Sequence, residues 1–303
     1  MRNQSSLLRR VALVAALGLG ATFALRISDC GPGSGLRVGT YNIRRFGVEA
    51  TDMTRLTEII ADSKSDVLAV QEILSKEKLG ELADRLSRVR GRRFAVALSN
   101  CGGKSKMHVG FLYDSTRVSV LSTREYPQLD PGGDGACSTG ERPGFAATFL
   151  RTKTNTRFTL LAVHMIAGGD RDKMERRKKQ WRDAHAIAKE LGKDAPVAIL
   201  GDTNSTGFLD DRGGERTFIL EEADKNGLEV TTSKLDCSEY FGPIEGKLRP
   251  SMLDHFVATP GMARRGSVRL HGYCEKLACA PTEKTPSDYA SVSDHCPVTI
   301  DLP

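Results

Sequence analysis

The chain has 303 residues, 39 % of them hydrophobic and 27 % charged, which excludes both a disordered chain and one embedded in a membrane along its length. Its 44 Lys and Arg against 38 Asp and Glu give a formal charge of +6. Such a balance points to a polyanionic partner, nucleic acid, anionic lipid or a phosphate-bearing substrate, if the charge is concentrated somewhere.

At the N-terminus Arg2, Arg9 and Arg10 precede an uncharged run, VALVAALGLGATFAL (Val11 to Leu25), with Thr22 and Ala24 suiting cleavage before Leu25. Residues 1–24 are therefore read as a secretory leader, residues 25–35 as a Gly/Pro/Ser-rich linker and 36–303 as a single catalytic domain. The alternative is an uncleaved membrane anchor, but the run falls short of the roughly 20 apolar residues a bilayer needs. Cleavage removes three arginines and no acid, leaving 41 cations against 38 acids, so half of the apparent basicity belongs to the leader. The expected location is secreted or periplasmic, with no stable membrane association once the leader is gone.

Export changes how the seven cysteines are read. Cys30, Cys101, Cys137, Cys237, Cys274, Cys279 and Cys296 form no CxxC pair and no zinc-like spacing, so disulfides are the leading reading and buried free thiols the alternative. The sequence does not fix the connectivity. Cys101 with Cys137 is the pair we favour, because both sit in Gly-rich loops flanking a strand pair.

Along the domain, LRVGTYNI (Leu36 to Ile43) reads as a strand, and Thr51 can cap a helix carrying Leu56, Ile59 and Ile60. DVLAVQEI (Asp66 to Ile73) is a buried strand ending in two polar residues, and Leu79, Leu82, Ala83 and Leu86 mark a second helix. FAVALS, HVGFLYD, RVSVLS, GFAATFLRT and RFTLLAVHMIA follow as antiparallel strands, interrupted by a polar loop from Tyr126 to Arg142. A helix from Arg171 to Leu191, the strand PVAILGDTN, a less ordered polar stretch, the strand MLDHFVAT, a loop to Ser293 and a last strand CPVTIDL complete the chain.

Polar residues interrupt these apolar runs at strand ends: Asn42, Gln71-Glu72, His164, Asp202, Asn204, Asp254-His255 and Ser293-Asp294-His295. One such residue is ordinarily a turn former. Together they supply hard oxygen ligands of the kind Mg²⁺, Mn²⁺ or Ca²⁺ prefers, and phosphate chemistry uses such an ion to offset developing charge. Histidine adds a group that moves a proton near neutral pH when a carboxylate fixes its tautomer, and Asp254 with His295 is a candidate pair. No GxSxG or HExxH motif is present.

The ordered set GTYNIRRFG, VLAVQEI, AVHMIAGG, AILGDTNS, SMLDHFVAT and SDHCPVTIDL resembles the endonuclease/exonuclease/phosphatase superfamily, whose members include deoxyribonuclease I, apurinic endonucleases, neutral sphingomyelinases and inositol polyphosphate 5-phosphatases. The resemblance implies an α/β four-layer sandwich, two packed mixed β-sheets flanked by helices, and a phosphoesterase site that depends on a divalent metal, Mg²⁺ with Mn²⁺ or Ca²⁺ as alternatives. It makes Glu72 the principal metal ligand, with Asn42 and Asp294 nearby. Asp202 and Asn204 orient the attacking water or a second metal and hold the phosphate. His295 is a general base held by Asp254, and His164 is a second acid/base or phosphate donor. Met107 stands where deoxyribonuclease I-like members carry the acid that orients the His164 equivalent, so His164 is expected to lack that partner. His255 and Tyr113 are expected in the core. Arg142 is a candidate phosphate contact, with a solvated loop arginine as the alternative.

The segment RDKMERRKKQWR (Arg171 to Arg182) holds seven cations and two acids, the sharpest charge concentration in the chain. It is read either as a phosphate-backbone contact or as a solvated helical face. The resulting expectation is a monomeric nuclease acting on nucleic acid, DNA before RNA. The alternatives are a phospholipid phosphodiesterase, a phosphatase on a smaller phosphorylated substrate, or an inactive binding relative.

Overall fold

The computed structural model describes residues 35–48, 50–130, 137 and 139–303. The expected leader, nearly all of the linker, Cys30 and part of the Tyr126–Arg142 loop lie outside the described residues. In chain order the elements are β1 (Leu36–Phe46), α1 (Met53–Ser63), β2 (Val67–Ile73), α2 (Lys76–Arg90), β3 (Phe94–Leu98), β4 (His108–Asp114), β5 (Val118–Tyr126), β6 (Gly144–Arg151), β7 (Thr156–His164) and α3 (Arg171–Leu191). There follow β8 (Val197–Asp202), α4 (Glu215–Lys225), β9 (Glu229–Val230), β10 (Glu239–Ile244), β11 (Lys247–Ser251), β12 (Asp254–Ala258), β13 (Arg269–Leu270), α5 (Gly272–Lys276), α6 (Ser287–Ser291) and β14 (Val298–Leu302).

The strands form two mixed six-stranded sheets, ordered β13-β14-β1-β2-β4-β3 and β5-β6-β7-β8-β12-β9, with β10-β11 as a separate hairpin. Within them β1 runs parallel to β2, and β7 parallel to β8. The period-2 alternation of the strands builds the layers. Inward residues such as Val38, Ala69, Phe111, Phe149, Leu160, Leu200, Phe256 and Ile300 fill the space between the sheets. Phe111 of one sheet meets Phe145 and Phe149 of the other at ring-centroid distances of 6.0 and 5.4 Å. Outward residues of the first sheet pack on Leu56, Ile60, Leu79 and Leu82 of α1 and α2, and those of the second on Trp181, Ala184 and Ile219 of α3 and α4. The four-layer sandwich expected from the resemblance is the observed fold.

Local chemistry explains most boundaries. The cap of α1 is Asp52, one residue past the expected Thr51: its carboxylate accepts from the backbone of both Thr54 and Arg55, at 3.0 and 2.9 Å. Ser75 and Asp170 cap α2 and α3 in the same way. The stretch expected to be less ordered contains α4 and the hairpin. Helix α4 starts after two glycines at positive φ, and the first residue on its buried face is a charge, Glu215, which hides the amphipathic signal. Three disulfides, Cys101–Cys137, Cys237–Cys279 and Cys274–Cys296, join the six described cysteines, the first being the pair favoured from sequence.

His255 is fully buried, facing Phe208 and Trp181, with Nδ1 3.1 Å from Thr232 Oγ1. Burial lowers its pKa from 6.5 to about 4. The folded state therefore resists protonation that the unfolded chain accepts, so this contribution is complete above pH 6.5 and is lost as pH falls toward 4. The loss is about 3 kcal/mol. Urea titrations at pH 7.5 and 4.5 should show a smaller drop for His255→Gln than for the wild type; equal drops would show that His255 is not the group responsible.

Candidate active site

The site caps the inter-sheet core. The alternation that places Ala162, Leu200 and Phe256 between the sheets continues to His164, Asp202 and Asp254 on one sheet, and from Val38 through Thr40 to Asn42 on the other. Neighbouring strands bring His164, Asp202 and Asp254 into direct register, His164 opposite Asp202 and Asp254 opposite Asp202. Gly201 has φ +141°, and a Cβ there would collide with the Val163 carbonyl, so glycine lets β7 and β8 close up just below these side chains.

Asn42 joins the two sheets. Its Nδ2 donates to Glu72 Oε1 at 3.1 Å and to Asp202 Oδ2 at 2.8 Å, while its Oδ1 accepts from Arg44 N. Glu72 also accepts from the backbone of Arg45 at 2.9 Å. Glu72 and Asn204 both hold left-handed backbone conformations, φ 61° and 51°, a strain of the kind that clusters at functional sites. Asn204 N donates to Asp202 Oδ1 at 2.9 Å, and its side chain donates to Met165 O. Asp202 thus has one oxygen fixed by a backbone amide and the other facing Asn42, His164 Nε2 at 3.4 Å and His295 Nε2 at 3.6 Å. Burial, helped by the charge of Asp254, raises its pKa to about 7.

The two histidines are tuned apart. His295 Nδ1 lies 2.8 Å from Asp254 Oδ2, which fixes the tautomer and turns Nε2 toward Asp202. Burial opposes its protonation, yet the charges of Asp254 and Asp202 outweigh burial and hold its pKa well above the imidazole range. His164 goes the other way: burial and the adjacent Arg142 charge push it well below. Its buried Nδ1 has no hydrogen-bond partner among the described residues, as the expected loss of an orienting acid at Met107 implies.

Glu72, His164 and Asp202 present one ligand atom each within 4.8 Å of one another, as do Asp202, Asp254 and His295. Glu72, the expected principal ligand, is in the first of these groups. Asn42 reaches the carboxylates through its amide nitrogen, and the Asp294 carboxylate is outside both groups, with its backbone carbonyl accepting from Tyr240 N and the Tyr273 hydroxyl. Arg142 is buried behind His164, donating Nε to the His164 carbonyl at 2.8 Å and Nη2 to the Met165 carbonyl at 2.9 Å. It is neither a solvated loop residue nor an open anion contact: it supports the end of β7.

The basic segment on α3 is also altered by folding. Arg177 is fully buried in a bidentate pair with Glu215, Nε to Oε1 at 2.7 Å and Nη2 to Oε2 at 3.2 Å, and donates to the Ile166 carbonyl. Lys178 and Lys179 pair with Glu175 and Asp183. Two residues at the site had no role assigned from sequence: Ser293, noted only as a polar strand-end residue, and Glu239, not noted at all. Ser293 Oγ donates to the Asn42 carbonyl and accepts from His295 N, tying β1 to the dyad. Glu239 is the β-bridge partner of His295, and burial raises its carboxyl pKa to about 8.

Solved structures share this architecture. TDP2 from D. rerio, complexed with single strand DNA product, is 16 % identical, with a TM-score of 0.60 over 89 % of this chain and 99 % of its own. The human nocturnin catalytic domain with bound sulfate is 15 % identical, with a TM-score of 0.57 over 89 % of this chain and 94 % of its own. A mannosyl-6-phosphatase from Bacteroides thetaiotaomicron is 17 % identical, with a TM-score of 0.56 over 88 % and 99 %. At these identities the likeness is one of fold. No curated protein matches the chain in sequence. The endonuclease/exonuclease/phosphatase family model matches residues 39–295, from the middle of β1 to the histidine of the dyad, and the chain belongs to that family.

Proposed function

We propose that the chain is an exported, divalent-metal-dependent phosphodiesterase that hydrolyses nucleic acid by in-line attack of water. The observation that carries this reading is the Asp254–His295 dyad at 2.8 Å, facing the carboxylates of Asp202 and Glu72 across a site bridged by Asn42. His295, held by Asp254, would take the proton of the attacking water at Nε2 in its unprotonated form, the minor one while the Asp254 and Asp202 charges face it. Asp202, whose oxygens are already engaged by Asn204 N and Asn42, orients that water. Neutral His164 is placed to donate to a phosphate oxygen or to the leaving group.

Buried, clustered, oxygen-rich donors fit a hard divalent ion, and Glu72 and Asp202, with His164 beside them, would hold it. Such an ion supplies positive charge that offsets the carboxylates and the charge developing on the phosphate. The fold accommodates nucleic acid in TDP2, whose structure contains a single strand DNA product, and a sugar phosphatase uses it as well, so the substrate must be tested directly. Export is supported by the leader pattern and the three disulfides. Among the described residues no helix is long and apolar enough to cross a membrane.

The purified domain should nick supercoiled plasmid with Mg²⁺ or Mn²⁺ and stop on addition of EDTA. Hydrolysis of sphingomyelin or of a sugar or inositol phosphate, with plasmid left intact, would replace the nuclease reading.

A further inference from the structure

The hairpin β10–β11 is pinned at its base and bare at its tip. Tyr240 N donates to Asp294 O at 3.0 Å and Cys296 N to Ser238 O at 2.8 Å, so the start of β10 lies alongside the segment that carries His295. The Cys237–Cys279 disulfide, the Tyr240 hydroxyl on Ala280 O and paired backbone bonds between Leu248 and Thr282 hold it from the other side. Beyond this base, Phe241 and Ile244 are 41 % and 44 % exposed.

Strand register fixes which way Phe241 points. Glu239 and His295 are direct antiparallel partners, so their side chains leave the same face, the one His295 turns to Asp202 and Asp254. Side chains alternate along a strand, so Phe241 shares the face of Glu239, about 7 Å farther along the strand. Its cross-strand partner is Arg249, which therefore emerges beside it on that face. The Arg249 side chain is 40 % exposed, and its Nη2 lies 3.0 Å from an oxygen of Glu245, itself 81 % exposed. An exposed aromatic ring and a partly exposed guanidinium stand side by side, two residues along the strand from the bridge partner of His295.

We propose that the Phe241/Arg249 face is a subsite for the nucleotide adjoining the scissile phosphate, with Phe241 stacking on its base and Arg249 donating to the next phosphate. This deepens the nuclease reading and rests on it. A flat ring is sequence-tolerant because every base has a π-face, and a guanidinium suits phosphate. A lipid surface is the less suitable partner, because the tip that exposes Ile244 also carries Glu245 and Lys247, and insertion would bury both charges.

The test uses Phe241→Trp, read against the chain's single native tryptophan, Trp181, which is fully buried. In EDTA, a thymidine tetranucleotide should quench the new fluorescence saturably. An abasic tetramer should bind about ten-fold more weakly, and Arg249→Gln should weaken the tetranucleotide several-fold. With Mg²⁺, Phe241→Ala should raise KM for the tetranucleotide about ten-fold, with kcat within about two-fold of wild type. Equal quenching by the abasic tetramer, no quenching, or a response only to phosphatidylcholine–sphingomyelin vesicles would overturn the subsite. Plasmid cleavage by the wild type without base-dependent quenching sinks the subsite and leaves the nuclease reading standing. Base-dependent quenching with no cleavage overturns the nuclease reading and leaves the face as a base-binding surface only.

Discussion

Replacing His295 by alanine is expected to lower kcat on plasmid or oligonucleotide by roughly 10²–10⁴-fold, with little change in KM, because the lost group acts on a proton in the transition state. Asp254→Asn should also lower kcat substantially: it leaves the ring in place and removes the charge that holds the tautomer and raises the proton affinity of His295. Asp202→Asn provides the contrast. The Asp202 carboxylate sits where burial makes ionisation costly, so its amide variant should fold at least as stably as the wild type while losing turnover by orders of magnitude. Steady-state kinetics beside urea unfolding would separate the two quantities. Wild-type turnover in His295→Ala, or a loss of stability in Asp202→Asn that accounts for its lost activity, would remove the roles assigned here.

The largest expected effect on stability lies outside the chemistry. Arg177→Ala should cost about 3–5 kcal/mol, because it leaves the buried Glu215 charge without its partner. It also strips a hydrogen bond from the carbonyl of Ile166, while Glu215 still accepts from Gly207 N. The pair connects the loop after His164 to the loop after Asp202, so a shift of those loops should accompany the loss. Arg177→Met combined with Glu215→Leu should recover part of the stability, since no unpaired charge remains. Full recovery is not expected: carbonyls that Arg177 satisfied stay buried. Unfolding midpoints for the single and double variants decide the point, and a single-variant loss below about 1 kcal/mol would mean that the ion pair is energetically idle.

The polar cluster at the strand ends was legible in the sequence because it is written in local terms. Asp202, His164 and Asp254 each interrupt an apolar strand in phase with its inward residues, so alternation alone marks them as lying at the end of a core. What stayed hidden is non-local. Arg177 reads as one more cation in a basic run, and only the arrival of Glu215, 38 residues later, removes it from solvent. Glu239 acquires its place from pairing with His295, across a stretch that holds the hairpin, β12, β13 and two short helices. Arg142 sits in the predicted region, but its guanidinium is engaged by the carbonyls at the end of β7 and by Glu141, contacts of which only the last is local in sequence.

Asn42 and Glu72 ride on one sheet, while His164, Asp202 and Asp254 ride on the other, and the Asn42–Asp202 bond of 2.8 Å spans the seam. Beneath that seam the distance between the sheets is set by the thickness of the side chains packed there, Phe111 against Phe145 and Phe149 above all. Misplacing reacting groups by about 1 Å can cost on the order of 10²-fold in rate. The hydrophobic filling therefore serves as a gauge block: its volume sets the gap across which the two halves of the constellation meet, and the residues that keep the protein folded are also those that keep its chemistry in focus.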